Sequence, residues 1–184
     1  MTRIRRGPRR VEFGMTATDT VPTRRNLMMG AAALALSSCA GQSRAADASE
    51  QRFATAPARR ITEAQWRSRL TPAAFRVLRH DDTERPRSSP LNAENRRGTY
   101  ACAGCALPIF RSEWKFESGT GWPSFTHVIR ENIGTKQDRV LLISRTEYHC
   151  ARCLGHQGHI FNDGPPPRGL RYCNNGVALR FVPA

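Results

Sequence analysis

Acidic side chains are scarce in this 184-residue chain: Asp and Glu number 15 against 29 Lys and Arg, leaving a formal charge of +14. Long apolar runs are missing too. None reaches the roughly 18 residues that a membrane-spanning helix needs, which argues against an integral membrane protein of that kind. No internal repeat is visible. The length argues against several large domains, yet the stretch from residue 46 onward is long enough to bury a core. No basic run is interleaved with aromatic residues, so the excess positive charge does not by itself describe a nucleic-acid grip.

The charge is unevenly placed. Residues 1–45 hold eight arginines (Arg3, Arg5, Arg6, Arg9, Arg10, Arg24, Arg25 and Arg44) against two acids, Glu12 and Asp19, a net +6, and residues 46–184 keep +8. Arg24-Arg25 leads into an uncharged, mildly apolar stretch from Asn26 to Ser43 that ends in small residues. That is the layout of an export signal, and the paired arginines resemble the twin-arginine type. A basic tail or surface helix is the alternative. Leu36-Ser37-Ser38-Cys39 resembles a lipobox, in which Cys39 would carry a lipid anchor; Ser43-Arg44-Ala45 offers an ordinary cleavage site instead. Met15 is an alternative start to Met1. The expected location is periplasmic or lipid-anchored, with a cytoplasmic protein as the alternative.

Residues 46–61 are small, polar and basic and read as a linker to a domain spanning 62–184. Thr62 and Gln65 stand at capping-box spacing, so a helix begins there. Thr71-Pro72 is a second helix start, with Ala74, Phe75 and Leu78 supplying an apolar face. Residues 85–95 read as an extended crossing loop. Beyond Gly98 the pattern changes to short strands, at 99–101, 140–143, 145–149 and 177–182, separated by Gly, Pro, Asn and Asp turns. The fold class is therefore mostly β, with small helices in front.

Six cysteines divide by spacing. Cys102 and Cys105 form one Cys-x-x-Cys knuckle, and Cys150 and Cys153 form another. Two knuckles can close a tetrahedral thiolate shell, which suits a structural zinc ion with no open position for a substrate. Iron, two disulfides or redox-active pairs are the alternatives. Gly104 and Gly155 stand where the knuckles need tight turns. Metal loading before oxidation suits export of a folded protein, so the two readings support each other. Cys173 is left over. It is either a buried filler or a reactive sulfur, and the alternation of a strand would put Arg171 and Asn175 on its face, where the cation lowers the thiol pKa. His156 and His159, three residues apart, are free to donate protons once four sulfurs hold the metal, and Asp163 could orient one of them. Both could instead merely satisfy turn backbone.

Three stretches together resemble the methionine-R-sulfoxide reductase B family: Gly119-Thr120-Gly121-Trp122-Pro123-Ser124-Phe125, the run from Gly155 to Pro165 containing both histidines, and Gly169-Leu170-Arg171-Tyr172-Cys173-Asn174-Asn175. The likeness covers residues 62–183. It implies two antiparallel sheets with short N-terminal helices, a structural zinc on Cys102, Cys105, Cys150 and Cys153, and reduction of the R epimer of methionine sulfoxide in proteins or peptides. It also implies Cys173 as nucleophile, with Trp122, His156, His159, Asp163, Arg171 and Asn175 around the substrate. Packing in the core is the other role open to Trp122. Many members carry a resolving cysteine where this chain has Thr120. Direct reduction of the oxidised Cys173 by an external, thioredoxin-like thiol is therefore expected. A monomer without a nucleic-acid partner is expected, and a zinc-binding module of the same fold without catalysis is the rival reading.

Overall fold

The computed structural model describes residues 48–140 and 143–184. The expected export signal with Cys39 lies outside the described residues, as do Leu141 and Leu142 of the expected strand 140–143.

Two short helices precede the strands, following α1 at Ala48–Gln51. Helix α2, Glu63–Arg69, starts at the capping box: Thr62 Oγ1 accepts from the Gln65 amide, and Gln65 Oε1 accepts from the Thr62 amide. Helix α3, Pro72–His80, starts where Thr71 Oγ1 accepts from the Ala74 amide. It stops at Asp81, whose φ of 55° is left-handed. Trp66 of α2 and Ala74, Phe75, Val77 and Leu78 of α3 are buried, so the apolar stripes drive docking that helices this short could not sustain alone.

The strands form two antiparallel sheets. Strands β1 (Gly98–Cys102), β2 (Pro108–Arg111) and β9 (Leu179–Pro183) make the smaller, in the order β2-β1-β9. Strands β3 (Lys115–Phe116), β4 (Ser124–Phe125), β5 (Ile133–Val140), β6 (Ile143–Cys150), β7 (His156–Phe161) and β8 (Arg171–Asn174) make the larger, in the order β3-β4-β8-β7-β6-β5. The mostly β expectation with two sheets holds. Val177 and Ala178, expected in a strand, instead form a 3-10 turn before β9. A further 3-10 turn at Pro90–Asn92 interrupts the crossing loop.

Between the sheets lies an aromatic core. Phe110 of the smaller sheet stacks on Phe125 of the larger with ring centroids 3.9 Å apart, and Tyr100 meets Phe125 edge-on at 5.0 Å. Tyr148 and Tyr172 complete the cluster. Truncating one of these rings to alanine would cost about 3–5 kcal/mol.

Segment 48–60 does not behave as the expected linker. Arg59 donates from Nε to the Arg152 carbonyl (2.9 Å) and from Nη2 to the Ala151 carbonyl (2.7 Å). Glu50 Oε1 lies 2.9 Å from His149 Nε2, and Arg52 bonds Asn132. The arginines that suggested a solvated linker are drawn to carbonyls left free where the second cysteine knuckle turns.

Candidate active site and metal centre

The alternation of strand side chains builds the site. Cys173 of β8 pairs with His159 of β7, Arg171 with Phe161, and His159 in turn with Glu147 of β6. Across β5 and β6, Asp138 pairs with Arg145 and Lys136 with Glu147. All these side chains therefore share one face of the sheet, while the intervening Tyr148 and Tyr172 point into the core. Gly158 lets β7 lie this close to β8, because a Cβ there would run into the Cys173 carbonyl.

A cleft of about 130 Å³ opens over this face, lined by Trp122, His159, Phe161, Cys173, Asn175 and Arg145. Trp122 and Phe161 supply apolar walls and the others a polar floor. The Arg171 guanidinium grips Asp163 with two bonds of 2.8 and 2.9 Å and lies over the Phe161 ring at 4.4 Å. Asp163 thus orients the arginine, not a histidine. His159 takes its carboxylate from β5 instead: its Nε2 is 2.9 Å from Asp138 Oδ2, which also receives Arg145 at 2.8 Å.

The expected face of Arg171, Cys173 and Asn175 is broken at its end, because β8 stops at Asn174. Asn175 still reaches the cleft, with its amide fixed: Oδ1 accepts from the Glu84 amide and Nδ2 donates to the Gln157 carbonyl. Its polar neighbour Asn174 is turned inward, where Oδ1 accepts from the Tyr148 hydroxyl at 2.7 Å. His156 sits behind His159, fully buried, with Nδ1 3.0 Å from Glu147 Oε1. It therefore stands at one remove from the cleft, which the nearby His159 lines.

Electrostatics set the resting protonation states. Burial pushes the Cys173 thiol above its ordinary value; Arg171 pulls it back only in part, while Asp163 and Glu84 add to the rise. The sequence-based expectation of a lowered thiol is thus corrected, because desolvation outweighs a cation already shared with Asp163. Burial also lowers the His159 imidazole, against an opposing pull from Asp138.

The second centre is sulfur. Cys102 and Cys153 Sγ are 3.6 Å apart, Cys105 and Cys150 Sγ 3.4 Å, and all four lie within 4.8 Å of one another. A tetrahedral zinc with bonds of about 2.3 Å would space its sulfurs about 3.8 Å apart, so the cluster fits that ion. Zinc bound there is structural, since four protein sulfurs fill its shell. The left-handed turns fall on Ala106 and Leu154, with φ of 62° and 61°, and not on the knuckle glycines. Gly104 and Gly155 instead admit close packing: a Cβ on Gly155 would press on Leu78, and one on Gly104 would touch Trp66. Two further groups of acids with a histidine, around Asp138 and around Asp81, already hold Arg145 and Lys136 in the place of a cation.

Residues 70–183 match the family model described as the SelR domain. The chain belongs to this family. Among relatives, peptide methionine sulfoxide reductase MsrB of Bradyrhizobium diazoefficiens is 48% identical over 123 residues, covering 66% of this chain and 88% of the relative. The protein of the same name from Pseudomonas putida is 50% identical over 121 residues, covering 65% and 90%. That from Methanosarcina barkeri is 47% identical over 121 residues, covering 65% and 85%.

Within this SelR domain the site uses residues that sequence reasoning did not single out: Asp138, Arg145, Phe161 and Glu84. The period-two pattern of β5, β6 and β7 could have placed the first three beside Cys173, given the register. Glu84 carries no such signal. Thr120, where the family resemblance places a resolving cysteine in many members, bonds Ser118 Oγ at 2.8 Å, and Ser118 bonds Ser124, the partner of Cys173 across β4 and β8.

Proposed function

We propose that the chain reduces the R epimer of methionine sulfoxide in proteins and peptides to methionine. The observation that carries this reading is the juxtaposition of Cys173 and His159 on paired strands beneath an aromatic wall. A sulfoxide accepts a nucleophile at sulfur only as its oxygen takes up a proton, so thiolate and acid must flank one small apolar recess. Trp122 and Phe161 suit the S-methyl group, which packs on aromatic rings.

The Cys173 thiolate attacks the substrate sulfur while protonated His159 donates to the oxygen. Asp138 holds the imidazole and stabilises its charge, and Arg171 steadies the thiolate. The protonated oxygen then passes from the substrate sulfur to the Cys173 sulfur as the bond between the two sulfurs breaks, so that methionine departs and Cys173 is left as a sulfenic acid. Thr120 offers no sulfur to resolve it. An external thiol attacks the sulfenic sulfur, water leaves, and a second thiol of the reductant releases Cys173 and completes the two-electron reduction. The metal centre takes no part in these steps; its knuckles begin at the C-terminal ends of β1 and β6, one strand from each sheet, and so tie the two sheets together.

The twin-arginine pattern supports export, with Cys39 as a lipid attachment site, and mass spectrometry of the protein recovered from cells tests both. The activity is tested on separated R and S sulfoxides of one peptide with dithiothreitol as reductant. Turnover of R alone is expected, abolished in Cys173→Ser with zinc content unchanged. Full activity in that variant would remove Cys173 from the reaction.

A further inference from the structure

Glu84 is buried, at 9% exposure, in the segment that runs from α3 toward the crossing loop, and it does not line the cleft. Every polar part of it is nevertheless engaged around the site. Its carboxylate accepts from the Gly176 amide at 2.6 Å and the Val177 amide at 3.0 Å, at the 3-10 turn immediately after Asn175. Its own amide donates to Asn175 Oδ1 at 3.0 Å. Its carbonyl accepts from Trp122 Nε1 at 3.1 Å. Trp122 and Asn175 come from different parts of the chain, yet each has its polar group tied to this one residue. Gly176 is packed against the arrangement, since a Cβ there would collide with Ser89 and lie 3.2 Å from Glu84 Oε1.

We propose that Glu84 is a positioning residue for the reductase cleft: its carboxylate pins residue 84 to the turn at 176–177, and the backbone so fixed holds the Trp122 indole and the Asn175 amide in place. Burying a carboxylate for packing alone would be unfavourable, because an ionised group loses hydration that two amide bonds only partly replace. Fixing one wall and part of the floor of a substrate recess explains what the charge achieves. The charged and titratable groups around Cys173 are His159 on β7 and Arg145 on β6, which line the cleft with it, and Arg171 on its own strand, held by Asp163. Glu84 stands behind the cleft, and its charge is, with that of Asp163, one of the two that raise the thiol.

The inference rests on the reductase reading for its kinetic arm only. The test uses the full, zinc-loaded chain as wild type, Glu84→Gln and Glu84→Ala. It measures kcat and KM for a peptide R-sulfoxide, and the pH profile of iodoacetamide alkylation at the Cys173 peptide. Glu84→Ala frees both Trp122 and Asn175, so kcat/KM falls roughly 10- to 100-fold, the scale of a small misplacement of site groups, and mainly through KM. Glu84→Gln keeps one acceptor for one of the two amides and restores much of that loss, leaving KM raised about threefold, the size expected for one weakened hydrogen bond. Both variants remove the negative charge, so the alkylation midpoint moves to lower pH. A residue serving only packing would lower the melting temperature and leave the folded enzyme's KM and alkylation profile at wild-type values. That result overturns the proposal. Should Glu84→Ala fail to fold, Glu84→Gln decides by the same two readouts. If wild type reduces no R-sulfoxide the reductase reading fails, and the alkylation profile still decides whether Glu84 acts on Cys173.

Discussion

Arg171 and Asp163 form a two-bond ion pair, Nε to Oδ1 at 2.8 Å and Nη2 to Oδ2 at 2.9 Å, at the edge of the cleft that holds Cys173. The arginine is buried while the carboxylate is largely exposed. The pair therefore fixes the direction of the guanidinium and takes up some of the charge it could offer to the sulfur. That compromise explains why burial dominates the resting thiol.

Opposite signs are expected from the two partners. Arg171→Met removes the cation that favours the Cys173 thiolate, so the midpoint of Cys173 alkylation rises and kcat/KM at neutral pH falls. Asp163→Asn removes a charge that opposes the thiolate, so the midpoint falls. Alkylation followed at the Cys173 peptide across pH measures both, and equal shifts in one direction would contradict this account.

Asp138 supports the protonated form of His159, against burial, Arg145 and His156, which all oppose it. Removing the carboxylate lowers the imidazole further. In Asp138→Asn the alkaline limit of proton donation moves to lower pH, so kcat/KM loses more at pH 8 than at pH 6. A pH profile of the variant checks this, and an unmoved limb would separate Asp138 from the proton-transfer step.

Oxidation by one equivalent of substrate without reductant is expected to leave a sulfenic acid on Cys173 that dimedone traps. The four knuckle cysteines stay on zinc, and Thr120 cannot form a disulfide. Thr120→Cys is expected to convert that product to a disulfide between the introduced sulfur and Cys173, seen as loss of the dimedone adduct in the mass spectrum. A disulfide from Cys173 to Cys105 or Cys153 in the unaltered chain would overturn direct reduction by an external thiol.

Arg59 reaches from the N-terminal segment to two carbonyls of the second knuckle, and also to Glu50. Arg79 donates to the Cys153 carbonyl from α3. Arg59→Ala is expected to lose about 1–2 kcal/mol of stability, the scale of part-buried hydrogen bonds made by a charged donor. Zinc release to a chelator, followed with a colorimetric zinc indicator, should quicken in the same variant. Unchanged release would show that the segment docks without bracing the metal site.

The helix starts were legible from Thr62, Gln65, Thr71 and Pro72 because capping is a local matter, settled within four residues. The zinc ligands were legible for a similar reason: spacing within each knuckle restricts what two thiols can do. Segment 48–60 was misread, since its composition reports solubility and not the distant carbonyls that Arg59 meets. The carboxylate partners were misassigned for the same cause. Asp163 lies close to His159 in sequence and Asp138 lies 21 residues away, but strand register brings Asp138 to the imidazole and leaves Asp163 to Arg171.

The sequence by itself determined the class of fold and the sulfur centre, because turn residues, strand patterning and cysteine spacing act locally. Cys173 as nucleophile and Thr120 in place of a resolving cysteine are what the family resemblance implies. Only the tertiary structure decided which charge faces which. Pairing β5 to β6, β6 to β7 and β7 to β8 lines up one face of side chains from four strands, and burial under Trp122 and Phe161 then sets their protonation. The scarcity of acids seen at the outset takes on meaning there: Asp138, Glu147, Asp163 and Glu84 are each committed to a partner at or behind the cleft, and for the buried Glu147 and Glu84 desolvation makes a single carboxylate count for more than the many exposed arginines.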